Sequence, residues 1–145
     1  MAEERHDYDT MVEWTRDRCG TLTASGRPSV TVGAPPEFGG SAEVWSPEHL
    51  CVAAVNACVM LTFVTIAQNS KLPFKSYAAA ATGTLEKVDG RGPVITRVVV
   101  KPRITIGPDI DRSKVERLIK MAEKHCFISN SLNSEVRLEP EIVVG

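Results

Sequence analysis

The sequence predicts an α+β domain in which antiparallel sheets surround one long, buried central helix. Three features carry this. A nearly unbroken apolar run, Leu50–Ala67, follows the helix start Ser46-Pro47-Glu48. Valine and isoleucine alternate with polar residues in two segments, Val94–Ile106 and Val136–Val144. Between them, Asp111–Lys124 repeats apolar residues at helical spacing. No internal repeat, low-complexity tract or composition break divides the chain, so residues 1–145 read as a single domain.

Residues 8–33 read as short strands broken by turns: Tyr8–Thr15, Thr21–Ala24 and Ser29–Val32, with a polar corner at Arg16-Asp-Arg-Cys-Gly20. Pro35-Pro36-Glu-Phe-Gly-Gly40 cannot continue a central strand and is loop. Ser46 as N-cap, Pro47 at the first helical position and Glu48 in the first turn open a helix that runs to about Asn69. Its length approaches a membrane span. The alanines, the internal Asn56, Thr62 and Thr65, and the strand-rich remainder favour a helix buried on all sides instead.

Pro73–Val88 and Val94–Ile106 form a hairpin across Asp89-Gly-Arg-Gly-Pro93. In the second strand Val98, Val100, Ile104 and Ile106 share one face, and Arg97, Lys101 and Arg103 the other. The small residues Ala78–Ala81 of the first would let a helix approach the sheet closely. In the amphipathic helix 111–124, Val115, Leu118, Ile119 and Ala122 point inward. A turn and short helix at Cys126–Leu132 lead to a last strand, Val136–Val144, with Val136, Leu138, Ile142 and Val144 inward.

The formal net charge of −1, with charges interspersed, leaves no basic footprint for nucleic acid. The acidic, polar N-terminus has no apolar segment of a secretory signal, which predicts a cytoplasmic protein without a membrane role. The four cysteines, Cys19, Cys51, Cys58 and Cys126, then lie in a reducing compartment, where thiols are catalytic, redox-sensing or simply buried. No Cys-x-x-Cys or Cys/His ligand spacing occurs, which argues against a metal. Cys51 and Cys58 share a helix face, but a rise of about 10.5 Å prevents a bond between them. Cys51 reads as core and Cys19 as an exposed turn residue. Cys58 and Cys126, each tied to a helix, read either as a redox pair or as two structural thiols.

Four segments in order resemble the OsmC/Ohr family of peroxide-reducing proteins (osmotically inducible protein C and organic hydroperoxide resistance protein). They are Pro36-Glu-Phe-Gly-Gly40, Trp45-Ser-Pro-Glu-His-Leu50, Ala53-Ala-Val-Asn-Ala-Cys58 and Cys126-Phe-Ile-Ser-Asn130. The resemblance implies an intertwined homodimer with its active sites at the interface. It also implies a thiol peroxidase acting on organic hydroperoxides, with Cys58 as the attacking thiolate and Cys126 as the resolving thiol. No bound cofactor is implied, only an external dithiol reductant, for example of the lipoyl type. Family members often carry Pro directly after the second cysteine, where this chain has Phe127. The family's arginine falls best on Arg18, with Arg16 one residue away and Arg27 further on.

The chemistry explains why such residues would be needed. A buried thiol is mostly protonated at neutral pH, whereas a cation within about 4–6 Å favours the thiolate. Arginine suits because it stays charged when partly desolvated. Glu48 could hold Arg18 through a bidentate pair, although ten residues of helix put it about 15 Å along the axis from Cys58. Its other reading is a first-turn acid favourable to the helix dipole. His49 reads as surface or interface and His125 as solvent-facing. Asn56 and Thr62 read as satisfying local hydrogen bonds, and Phe38, Phe63 and Phe127 as pocket-wall or core aromatics. A second function on the same fold is an apolar-ligand binding or redox-sensing module.

Overall fold

The computed structural model describes residues 4–145. They fall into two compact units, one running to Leu50 and the other from Cys51 to Gly145.

The first unit is an antiparallel meander of β1 (Met11–Arg16), β2 (Cys19–Thr23) and β3 (Val30–Gly33). Asp17 turns the first hairpin with φ 47°, a left-handed geometry that Asp tolerates better than most residues. The Trp14 indole N–H donates to the Asp17 carbonyl at 2.8 Å and fixes that turn. After β3 a short 3-10 turn, Pro36–Phe38, ends at Gly39 with φ 83°. A Cβ on Gly40 would lie 1.6 Å from the Ala34 carbonyl oxygen, so only glycine fits there. Ser46 then caps the long helix α1 (Pro47–Asn69) by accepting the His49 N–H at 3.1 Å.

In the second unit, β4 (Ser76–Val88) and β5 (Gly92–Ile106) form a long antiparallel hairpin. Small residues let α1 lie close to it: a Cβ on Gly83 would meet Val52 at 2.3 Å, and Ala79 and Ala81 pack with Val55 and Val59. The Asn56 amide reaches across to the Ala79 carbonyl at 3.1 Å, so it ties the helix to β4 rather than satisfying a local group. Helix α2 (Arg112–His125), capped by Asp111, buries Val115, Leu118, Ile119 and Ala122, the four positions expected. A short helix α3 (Phe127–Asn130) follows.

Two expectations need correction. The last strand is broken into β6 (Glu135–Leu138) and β7 (Glu141–Val144), and both pair with β5 in parallel, so this sheet is mixed. The break falls at Pro140, which has no N–H for a ladder, opposite the stretch of β5 that contains Pro102. The Glu139 N–H still donates to Val100 at 2.8 Å, and pairing resumes at Glu141. Nor is α1 buried on all sides in the single chain. Val55, Val59, Phe63 and Ala67 form one covered stripe, while Ala54, Ala57 and Leu61 are exposed. By length and composition α1 could cross a membrane, but its covered stripe is part of the protein core.

That core has two clusters. Phe63, Ala67, Ile104, Ile106 and the inner face of α2 form one, with Phe63 packed edge-on to Phe74 at 5.5 Å and tilted against Tyr77 at 5.7 Å. Phe63 is therefore a core aromatic. The other gathers Val55, Val59, Val98, Val100 and Cys126, with Cys58 on its margin.

Candidate active site

Cys58 and Cys126 come together in the second cluster. Cys58 stands on α1 one residue before the covered Val59 and is half-buried. Cys126 is fully buried, and its extended backbone (φ −70°, ψ 113°) ends α2 and starts α3. The Asn130 N–H closes on the Cys126 carbonyl at 3.0 Å, and the Asn130 amide caps the end of α2 at the Lys124 carbonyl, 3.1 Å away. Both thiols are free.

Their acidities are pushed in opposite directions. Burial raises the Cys58 pKa, but the Ile128 N–H, the Cys126 thiol, the Thr62 hydroxyl and the Phe127 N–H favour its thiolate, and the net direction is down. Thr62 shares its hydroxyl proton between two acceptors. Its hydroxyl donates to the Cys58 carbonyl oxygen at 2.7 Å, whereas its contact with the Cys58 sulfur is 3.9 Å. For Cys126, burial raises the pKa and the Cys58 sulfur adds to the rise, while the Ser129 hydroxyl and N–H only partly oppose it. The pair thus divides into an acidic thiol, Cys58, and a reluctant one, Cys126.

A buried thiol calls for a cation to do this, yet the backbone N–H groups of Phe127 and Ile128 contribute much of it here. Such donors carry no residue signature. The available signal is Phe127 itself: a proline at that position would have no N–H to offer.

Arg18 and Glu48 belong to the first unit. The Arg18 guanidinium donates to the Phe38 carbonyl and covers Gly39, where a Cβ would lie 2.7 Å from Nη1. The Glu37-Phe38-Gly39-Gly40 loop is therefore Arg18's support. The expected bidentate pair with Glu48 is not formed; Glu48 Oε1 is buried with no hydrogen-bond partner. Arg16 and Arg18 line a shallow concavity with Asp17, Cys19, Gly39 and Ser41. Arg27 instead bonds the Ser25 carbonyl at 2.9 Å. His49 Nδ1 lies 2.6 Å from the Ser46 hydroxyl, a capping role, and His125 is exposed as expected. Cys19 opens β2 half-buried rather than exposed, and Cys51 is half-buried. Phe127 is 80% exposed and Phe38 47%, so neither is a wall of a closed pocket in this chain. Among the described residues no group of three or more Cys, His, Asp or Glu could hold a metal.

The OsmC-like protein family description matches residues 40–141, which includes Glu48, Cys58 and Cys126 and leaves Arg18 outside. The chain belongs to the OsmC-like family. It is 24% identical over 149 residues to the uncharacterised protein YmaD of Bacillus subtilis, covering 97% of each chain. Among solved structures it is similar to an OsmC-like protein of unknown function from Vibrio cholerae, with TM-score 0.88, 25% identity, and 94% and 100% of the two chains covered. It also shares the fold of the organic hydroperoxide resistance protein OhrB of Bacillus subtilis, with TM-score 0.70, 21% identity, and 94% and 98% covered. The mixed α+β architecture is that of OsmC-like proteins.

Proposed function

We propose that this OsmC-like protein is a cytoplasmic, thiol-dependent peroxidase for organic hydroperoxides. The observation that carries the reading is the Cys58–Cys126 pair: two thiols far apart in sequence, joined in one apolar cluster and pushed to opposite acidities. The names of structural relatives as organic hydroperoxide resistance proteins agree with it.

The Cys58 thiolate attacks a peroxide oxygen. An S–O bond forms, the O–O bond breaks, and the alkoxide leaves as an alcohol after taking a proton, which leaves Cys58 as a sulfenic acid. Cys126 then attacks that sulfur; a disulfide forms and the hydroxyl departs as water. An external dithiol, of the lipoyl type for example, reduces the disulfide by exchange and is itself oxidised. Arg18, held by the Phe38 carbonyl, is proposed to favour the thiolate and to donate to the peroxide oxygens, with the unpartnered Glu48 carboxylate available to pair with it. The apolar neighbours of Cys58 favour alkyl over hydrogen peroxide.

The working unit in this reading is a homodimer. Tyr8, Met11, Val12 and Trp14 on and beside β1, and Leu61 on α1, are large apolar side chains left in water by one chain. So much exposed apolar surface is a reason to expect a second copy. Light scattering at micromolar concentration should give twice the mass of one chain; a single-chain mass refutes the dimer.

One equivalent of an alkyl hydroperoxide should consume two thiols rapidly, with a Cys58–Cys126 link in peptide maps and full recovery on adding a dithiol. A disulfide that forms once and is not recycled by any dithiol would favour a redox sensor. Unchanged thiols would remove the enzymatic reading.

A further inference from the structure

The Ser129 hydroxyl is buried and makes no conventional hydrogen bond. Buried hydroxyls without a partner are rare and call for a reason. Ser129 stands three residues after Cys126, in the four-residue helix whose N-cap is Cys126. That spacing sets its hydroxyl and N–H on the turn that carries the Cys126 sulfur, where both favour the thiolate although neither closes a hydrogen bond on the thiol. A thiol is a weak acceptor but a thiolate is a good one, so this hydroxyl lacks a strong partner only while Cys126 is protonated.

We infer that Ser129 serves the resolving step, its hydroxyl donating to the Cys126 sulfur as that thiol gives up its proton to attack the Cys58 sulfenic acid. The inference rests on the peroxidase reading and assigns a residue to its second half. In that half the Cys126 S–H bond breaks, the Cys58–Cys126 S–S bond forms and the S–O bond of the sulfenic acid breaks. The proton and the hydroxyl leave together as water. No further oxidant or reductant is needed. Ser129 keeps its proton throughout and lowers the cost of charge on Cys126 in surroundings that otherwise oppose it. Those surroundings are Val55 and Val59 from α1, Ala79 and Ala81 from β4, Val98 and Val100 from β5, and Leu132 and Val136. The titratable group that acts on Cys126 from these surroundings is Cys58. The sulfenic acid is uncharged, so the repulsion of the Cys58 thiolate is gone when resolution begins, and Ser129 is left as the group acting on Cys126.

The test separates the two half-reactions in the full-length protein. After one equivalent of an alkyl hydroperoxide, Ser129→Ala should oxidise Cys58 at the wild-type rate. It should close the disulfide roughly tenfold or more slowly, the scale of one lost bond to a charged acceptor. The pH profile of closure should move upward, and a dimedone-type trap should capture more sulfenic acid. Ser129→Thr, which keeps the hydroxyl, should restore closure. A second measurement needs no peroxide chemistry. In a Cys58→Ser background, the thiolate ultraviolet absorbance of Cys126 should appear at higher pH when Ser129→Ala is added. If closure, its pH profile and the Cys126 titration all stay put, the inference is overturned. If wild type forms no disulfide but the Cys126 titration still moves, the peroxidase reading fails while the Ser129–Cys126 interaction stands.

Discussion

The middle of α1 and the corner between α2 and α3 each deliver one thiol to the same cluster, by different means. Cys58 rides on a regular helix whose own backbone donors are used within the helix, so it depends on donors from elsewhere. Cys126 sits where one helix stops and another starts, a place with free backbone N–H groups, and its corner lends some of them to Cys58. The irregular corner therefore activates the thiol on the regular helix, while its own thiol stays buried and protonated. In the proposed cycle a symmetric pair would leave the choice of attacking sulfur open, whereas this asymmetry would assign it to Cys58.

The largest expected effect breaks the comparison outright. Cys58→Ser should abolish peroxide consumption, since a hydroxyl is far less nucleophilic than a thiolate, while circular dichroism stays native. Wild-type turnover in this variant would remove Cys58 from the chemistry.

Cys126→Ser should keep the first turnover and lose the cycle. Without an intramolecular partner the Cys58 sulfenic acid persists and climbs the oxidation ladder in excess hydroperoxide. Mass spectrometry should show Cys58 carrying two or three oxygens, where wild type shows only the loss of two hydrogens. An over-oxidised Cys58 in wild type, with Cys126 untouched, would make Cys126 a bystander.

Arg18→Ala should slow Cys58 oxidation by about one order of magnitude or more and raise the Cys58 pKa. The sign can be read from rate against pH. Because the native pKa is held below the ordinary thiol value, the wild-type rate should already be near its plateau where the variant is still rising. Arg18→Lys should recover only part, having no planar fork. Since the corner amides already favour the thiolate, the residual activity of Arg18→Ala measures their share. An unchanged profile would leave them as the main cause.

The sequence made the two regions unequally visible. Ser46-Pro47-Glu48 marks the start of α1 because capping is written in side chains, and the inner face of α2 is written in its spacing. The corner was legible only as a turn before a short helix, since backbone N–H groups acting on Cys58 belong to no residue type. Ser129 carries no sequence signal either, because what sets it apart is the burial of its hydroxyl. Alternation locates the last strand but not its direction, and it runs through Pro140 because valine and isoleucine continue on both sides. The apolar run of α1 suggests all-round burial, but one chain covers only the stripe Val55, Val59, Phe63 and Ala67.

The smallest effect compares what anchors the two regions. Asn56 holds α1 to β4 through the Ala79 carbonyl, and Asn130 holds the corner to the end of α2 through the Lys124 carbonyl, both at 3.1 Å. The bonds have equal length and different surroundings: the first is part-buried and the second exposed. Removing Asn56 strands an acceptor away from water, so Asn56→Ala should cost about 1–3 kcal/mol in denaturant unfolding. After Asn130→Ala, water can reach the Lys124 carbonyl, and the loss should stay near the net value of an ordinary hydrogen bond, about 0.5–1.5 kcal/mol. Disulfide closure should respond in the reverse order, because Asn130 shapes the corner that carries Cys126, whereas β4 and the covered stripe still hold α1. A larger stability loss for Asn130→Ala than for Asn56→Ala would mean that the corner, not the helix, is the stiffer support of the pair.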